Sequence, residues 1–422
     1  MKRKFRAIIQ DVIFSDQELF RYSFLIVFAT MLGMIINYFF QVIVGRFLGP
    51  SDYGVFGSLM AILYIISVFG GAINISITKI SSEFFVKKET SKIKRIFKTY
   101  SLRLLIIGSI LSFLFFLFSS SISKFLKTNE IFSIILLAIS FPLTFVSSNI
   151  FGIMRGMQRF KEYAIISVLQ PIIKLALALI LISFGFKVSG AIGAIVVSGV
   201  FVCFFALYYL KDVLKEKEER FDKTLLIKYS LPVLILSFCI TAMINLDILL
   251  IKNLFSSEES GFYVAASTLS KIVFWISGSL IIVMFPKTAS LNISEKSKAR
   301  KIFRTTIVYT LLISLAFLFF TFLFPDFVIY FAFGENFLKA GEIIFLFFVL
   351  MSLISIIQII LNYDLSIDKI KPIYILPIFV IAEIFLIYSF HSSLLEIIKN
   401  LVLLNSFLLI LLLAFNTREF LE

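Results

Sequence analysis

The sequence predicts an all-α integral membrane protein with twelve transmembrane helices in two parallel six-helix repeats. Three observations carry this. The 422 residues are 60% hydrophobic and 16% charged, with 53 phenylalanines. Soluble domains run at roughly 45–50% apolar and about 25% charged. Twelve apolar runs have the ~20-residue length that crosses ~30 Å of hydrocarbon. Lysine and arginine alternate between loops in the way that sets membrane orientation.

The runs span 22–44, 54–78, 104–122, 131–152, 163–184, 189–210, 229–251, 261–285, 305–325, 341–362, 372–390 and 397–415. With the N-terminus inside, the inner segments carry 31 Lys/Arg and the outer segments 7; the remaining two of the 40 are Lys174 and Lys271. One missed or extra span would destroy this alternation. Both termini are therefore expected in the cytoplasm, in a multi-pass protein of the cell membrane. The basic, amphipathic N-terminal segment leads directly into a full-length span, with no cleavable signal peptide. The net charge of +14 follows from the loops, so nucleic acid is not an expected partner. Cys203 and Cys239 both fall inside apolar runs and form no CxxC, and the single His391 excludes a multi-histidine metal site. Outer loops are short, the longest running from about Pro325 to Ala340. They leave no room for an external catalytic domain.

The two halves match at an offset of 206 or 207 residues. Arg21-Tyr22-Ser23 answers Lys228-Tyr229-Ser230, and Gly45–Phe56 answers Lys252–Tyr263 with Gly54 opposite Gly261. Lys92–Thr99 answers Lys298–Thr305, and Pro171–Phe184 answers Pro377–Phe390. Six spans per half give both halves the same orientation. That is a parallel repeat about the membrane normal, which places a substrate site between halves that rock to alternate access. The expected units are 1–210, a cytoplasmic linker at 211–228, and 229–422. Pro171, Pro377 and the Gly70-Gly71 pair are candidate kinks.

Lys174 and Lys271 lie near the middle of their spans. A charge at that depth costs roughly 2.5–3.5 kcal/mol and is tolerated facing protein or a water-filled cavity. Two such cations suggest a chamber for an anion, each lysine serving as a compact point charge for a phosphate or pyrophosphate. The structural alternative is ion pairing, most simply with mid-span Glu383. Asp247 stands nineteen residues beyond Lys228, about 28 Å along a straight helix, and is expected near the outer interface. Asp247 and Glu383 are candidate coupling or gating residues; a helix cap or an ion pair is the structural alternative. Asn37, Gln41, Asn74, Asn149, Gln170 and Asn245 are candidate sugar contacts or interhelical bonds. Lys79, Arg155, Arg159 and Lys287 lie at the inner mouth, where they contact an anionic headgroup or only set topology. No Walker motif, catalytic triad or carboxylate pair is present, so the chain reads as a transporter and not an enzyme. It would need no cofactor beyond a coupling H+ or Na+.

The Tyr-rich first span, the segment GRFLGPSDYGVFGSL and the basic loop that follows resemble polysaccharide-biosynthesis exporters of the Wzx/RfbX type. These belong to the multidrug/oligosaccharidyl-lipid/polysaccharide (MOP) exporter superfamily. Ser148–Ile165 and Asn245–Ser267 are similar to that family's segments joining spans four and five and spans seven and eight. The resemblance implies a MOP-type fold with a central cavity. It implies a flippase that turns polyprenyl-phosphate-linked oligosaccharide to the external leaflet for cell-surface polysaccharide synthesis. Expected partners are the lipid-linked anionic glycan, membrane lipid and other glycan-assembly proteins, around a monomeric carrier. The same superfamily offers a cation-coupled multidrug exporter. A different class, a membrane glycan polymerase or ligase, would need catalytic groups on a sizeable external loop. The topology makes a direct prediction. In a background free of Cys203 and Cys239, cysteines at Ser51, Ser257 and Ser392 should react with an impermeant thiol reagent added to sealed cells. Cysteines at Ser91 and Ser297 should not.

Overall fold

The computed structural model describes residues 17–219, 230–291 and 295–416, with side chains described throughout except at 17–27, Ala72 and Ser230. The N-terminal amphipathic segment, Lys228-Tyr229, Arg418 and the 220–228 part of the expected linker lie outside the described residues. A helical stretch Gln17–Val86 is broken at Gly49, where φ is +75°. It supplies α1 (17–48) and α2 (50–86). There follow α3 (Thr90–Leu117), α4 (Ser119–Phe125), α5 (Ile131–Gly156), α6 (Phe160–Ser183), α7 (Lys187–Tyr209) and α8 (Lys211–Lys215). The second half holds α9 (Ser230–Met243), α10 (Leu246–Leu254), α11 (Ser257–Ala289), α12 (Lys296–Leu323) and α13 (Pro325–Phe333). It ends with α14 (Gly341–Ser366), α15 (Leu376–Ser389) and α16 (Leu394–Phe415).

Among the described residues eleven helical segments are long and apolar enough to cross a membrane, and the first of them is 59 residues long. At 1.5 Å per residue that is about 90 Å, far more than one crossing needs. Gly49 turns it back, so it supplies two spans and the total is twelve. A left-handed φ is open to glycine at little cost, and Pro50 follows as a helix starter. Two sequence expectations change here. The seventh span is two helices, α9 and α10, parted at Ile244-Asn245. Pro377 stands at the start of α15, behind a 3₁₀ turn at Lys371–Ile375, so it opens a helix and does not kink one. Pro171 does sit inside α6.

The α1–α2 stretch packs with α3, α5, α6 and α7, and α11, α12, α14, α15 and α16 pack on one another. The halves meet through α1 and α2 against α9, α10, α11 and α13. One continuous apolar core runs through this seam and the second half. A separate core of Ile77, Ile80, Ile96, Ile153, Met154 and Val202 belongs to the first half alone, at its basic end. The halves are therefore bonded toward the Gly49 end, here called distal. Tyr38 Oη donates to the Leu269 carbonyl at 3.3 Å, and Tyr53 Oη meets Thr268 Oγ1 at 3.1 Å. Asn253 Nδ2 donates to the Phe125 carbonyl at 2.7 Å. The Tyr53 ring lies 6.0 Å from Phe56, 5.3 Å from Phe333 and 5.9 Å from Phe337.

At the basic end, an acidic segment closes on α3. Glu218 accepts from Lys98 Nζ at 2.6 Å and Arg95 Nη1 at 2.8 Å, and these bonds hold its carboxyl below the usual range. Burial acts to raise Asp212, but the Arg159 bond and charge outweigh it and bring it down.

In lipid, helices gain little from the hydrophobic effect and associate through close packing of small residues. At the seam, α11 approaches α2 so closely that a Cβ on Gly261 would collide with the Pro50 carbonyl. Gly261→Ala should therefore cost about 1–3 kcal/mol through overpacking. The loss is measurable as a lower unfolding midpoint of the purified protein, and a substitution at nearby exposed Ser51 should not reproduce it.

Candidate functional site

Two polar clusters stand at mid-span, one in each half. In the first half, Lys174 on α6 donates to Asn37 Oδ1 on α1. Asn37 Nδ2 in turn donates to the Gly33 carbonyl at 2.9 Å. The ammonium lies 4.2 Å from the centre of the Phe40 ring, in cation–π range. Among the described residues no carboxylate forms an ion pair with Lys174, which is half-buried. On the same side, Gln41 Nε2 donates to Tyr64 Oη at 2.5 Å. Gln170 is half-buried one turn before Lys174 on α6.

The second cluster forms around the break between α9 and α10. The break gives α10 its own first turn there, with Asn245 as its N-cap residue and Asp247 inside it. Lys271, only 9% exposed on α11, donates to Asn245 Oδ1 at 3.1 Å. Asn245 Nδ2 donates to the Thr241 carbonyl at 2.8 Å. Asp247 is buried, accepts from Tyr263 Oη at 2.8 Å and from the Ile248 amide at 2.8 Å, and has Lys271 as an electrostatic neighbour. Glu383 on α15 is 1% exposed, and among the described residues neither carboxylate oxygen has a hydrogen-bond partner. Its charged neighbour is Asp247.

Asp247, expected toward the outer interface, is buried in the protein, with Lys271 as a charged neighbour. Two carboxylates, not one, therefore accompany the two lysines, and both lie in the second half. The lysines occupy separate clusters, joined by consecutive residues. Asn37 bonds Lys174, and adjacent Tyr38 bonds the Leu269 carbonyl, two residues before Lys271.

The other candidates divide by place. Asn149 is buried between α5 and α3, with Nδ2 donating to Ser101 Oγ at 2.7 Å, so it bonds neighbouring helices. Asn74 Nδ2 donates to the Ser148 carbonyl at 2.5 Å, and Asn74 Oδ1 accepts from Arg155. Arg155 also lies over the Tyr163 ring, and Arg159 bonds Asp212 and the Tyr209 carbonyl. Both arginines thus brace the first half at its basic end. Lys79 and Lys287 are exposed there. Among the described residues no group of three His, Cys, Asp or Glu side chains could hold a metal ion. Tyr38, Phe40 and Tyr263 join these clusters without having been singled out by sequence. Their partners lie 231, 134 and 16 residues away, and no local pattern announces such contacts.

Twelve spans in two halves that meet at a distal seam give this chain the fold of MOP superfamily transporters. The fold is shared with an inward-facing multidrug resistance MATE family transporter of that superfamily, at a TM-score of 0.77 and 14% identity, covering 92% of this chain and 98% of that one. A eukaryotic MATE transporter aligns at 0.68 and 13% identity, over 94% and 95% of the two chains. A MOP superfamily transporter from Pyrococcus furiosus Vc1 (DSM3638), described as having a binding pocket of reversed polarity, aligns at 0.63 and 15% identity over 94% of each chain. No curated protein matches the chain. The chain belongs to the polysaccharide biosynthesis protein family, whose model matches residues 43–342.

Asn149 separates structure from transport. Asn149→Ala should remove about 1 kcal/mol of stability by deleting an interhelical bond. Transport per correctly inserted molecule should remain, as checked by thermal unfolding alongside flux normalised to membrane abundance.

Proposed function

We propose that this protein is a flippase carrying a lipid-linked, phosphate-bearing glycan from the cytoplasmic to the external leaflet by alternating access. The observation that carries the reading is Lys174: a mid-span cation held by an amide oxygen and an aromatic face, with no carboxylate paired to it. A neutral amide acceptor is a weak partner, which an anionic phosphate oxygen replaces with a stronger, charge-assisted bond. Membership of a polysaccharide biosynthesis family supports a glycan cargo. The reversed pocket polarity described for the Pyrococcus furiosus transporter is a precedent within the superfamily for departing from the usual cargo.

In this mechanism the basic end faces the cytoplasm, following the loop charges, and the distal seam is the external gate. Lys174 takes the phosphate. Asn37 and Gln41 on α1 and Gln170 on α6 offer bonds to sugar hydroxyls. Lys271 is already balanced by Asp247, so it contributes less to anion capture than Lys174. Asp247 and Glu383 form a carboxylate pair that suits a coupling H+ or Na+.

That buried pair also supports a second reading, a cation-coupled multidrug exporter. Such a carrier would use Asp247 and Glu383 for its cationic cargo and would have no need of Lys174.

The deciding measurement is flipping of a lipid-linked oligosaccharide by purified protein in liposomes, with each variant checked for normal abundance. Lys174→Ala and Lys174→Glu should reduce the rate at least tenfold, Lys174→Arg should retain part of it, and Lys271→Ala should fall in between. Unchanged flipping by well-folded Lys174→Ala would overturn the phosphate role. Export of a cationic compound that survives Lys174→Ala but not Glu383→Gln would favour the exporter.

A further inference from the structure

Lys252 is a buried cation in the distal seam. It is 0% exposed, in the last turn of α10, and its ammonium donates to Ser257 Oγ at 2.7 Å. Among the described residues it forms no ion pair. The carboxylates nearest in sequence serve elsewhere or face water: Glu259 is engaged by Ser256 in the capping box of α11, and Glu258 is exposed. The last carbonyls of α10 favour a cation at this end, but a dry ammonium with one neutral partner remains costly.

The other half adds a like charge. Asn253, next to Lys252, donates from Nδ2 to the Phe125 carbonyl across the seam, and Lys127 stands two residues past Phe125. Lys127 is exposed, and it acts on Lys252 as an electrostatic neighbour. Its φ is +45°, a conformation that glycine or asparagine adopts at lower cost. Thus the bond between Asn253 and Phe125 draws two cations together, one from each half, with no carboxylate paired to Lys252.

We propose that Lys127 and Lys252 form a repulsive pair built into the distal seam, which biases the gate toward opening. Around it, attractive contacts hold the gate shut: the Tyr38 and Tyr53 phenols, the aromatic group at Phe333 and Phe337, and the close approach at Gly261. Opening separates the lysines and lets water reach the Lys252 ammonium. The gate is thereby balanced between two states and is not locked in one. Nothing in this depends on the identity of the cargo.

The test follows the gate in substrate-free protein in nanodiscs. Spin labels at Ser51→Cys and Leu338→Cys, in a background free of Cys203 and Cys239, report the distance between the halves at the seam. Lys252→Met should raise the closed-to-open ratio about threefold or more, and Lys127→Gln should do the same. Tyr53→Phe should move the ratio the other way. Raising salt from about 0.02 to 0.5 M should favour closure in the parent protein through screening, and Lys127→Gln should lose that response. The proposal is overturned if Lys127→Gln leaves the ratio unchanged or lowers it, or if its salt response matches the parent's. Lys127 is exposed at a loop, so that variant decides the matter even where Lys252→Met does not fold.

Discussion

In a hydrocarbon layer a polar group can bond only to protein, and apolar side chains gain little by leaving lipid for one another. Both halves of that constraint shape this molecule. Its helices are held by close backbone approach, aromatic contacts and a few polar bonds, as where α11 meets Pro50 at Gly261. Several of its polar groups are bonded within or between helices: Asn149 to Ser101, Asn74 to Ser148, Tyr263 to Asp247. Three buried or half-buried ionisable groups are bonded weakly or not at all among the described residues. Lys174 has an amide and a ring, Glu383 has no hydrogen-bond partner, and Lys252 has one serine hydroxyl.

These three groups occupy different parts of the repeat. The fifth span of each half carries one charge, a lysine at 174 and a carboxylate at 383. The fold is therefore pseudo-symmetric while its electrostatics are not. In the mechanism proposed above, a phosphate would sit on the α6 side and a proton or sodium ion on the α15 side. The chain offers a physical path between the two sides. Asn37 holds Lys174, and Tyr38 holds the backbone of α11 just ahead of Lys271. Displacing Asn37 from Lys174 loosens α1 at the point where it is bonded to the other half.

The interruption of the seventh span at Asn245 has the same local character. It frees the helix end that receives Lys271, and it places Asp247 in a first turn where backbone amides and Tyr263 stabilise its charge.

Much of the fold was legible in the sequence because hydropathy and loop charge act residue by residue. Run length defined the spans to within a few residues at most ends. The offset of 206 or 207 residues defined the repeat. Mid-span Lys174, Lys271 and Glu383 were visible for the same reason: a charge amid apolar residues stands out without any partner being known. What sequence could not supply were the pairings. The helix break at Asn245 was not foreseen because no glycine or proline announces it. Asn149 and Arg155 read equally as ligand contacts or as braces until α3 and Tyr163 were seen beside them. Lys252 read as one more outer-loop lysine, because its burial depends on α4 of the other half. The sequence by itself determined which segments cross the membrane and which charges must be accommodated there. Only the tertiary structure decided which charges are paired, because pairing depends on helices brought together from far apart in the chain.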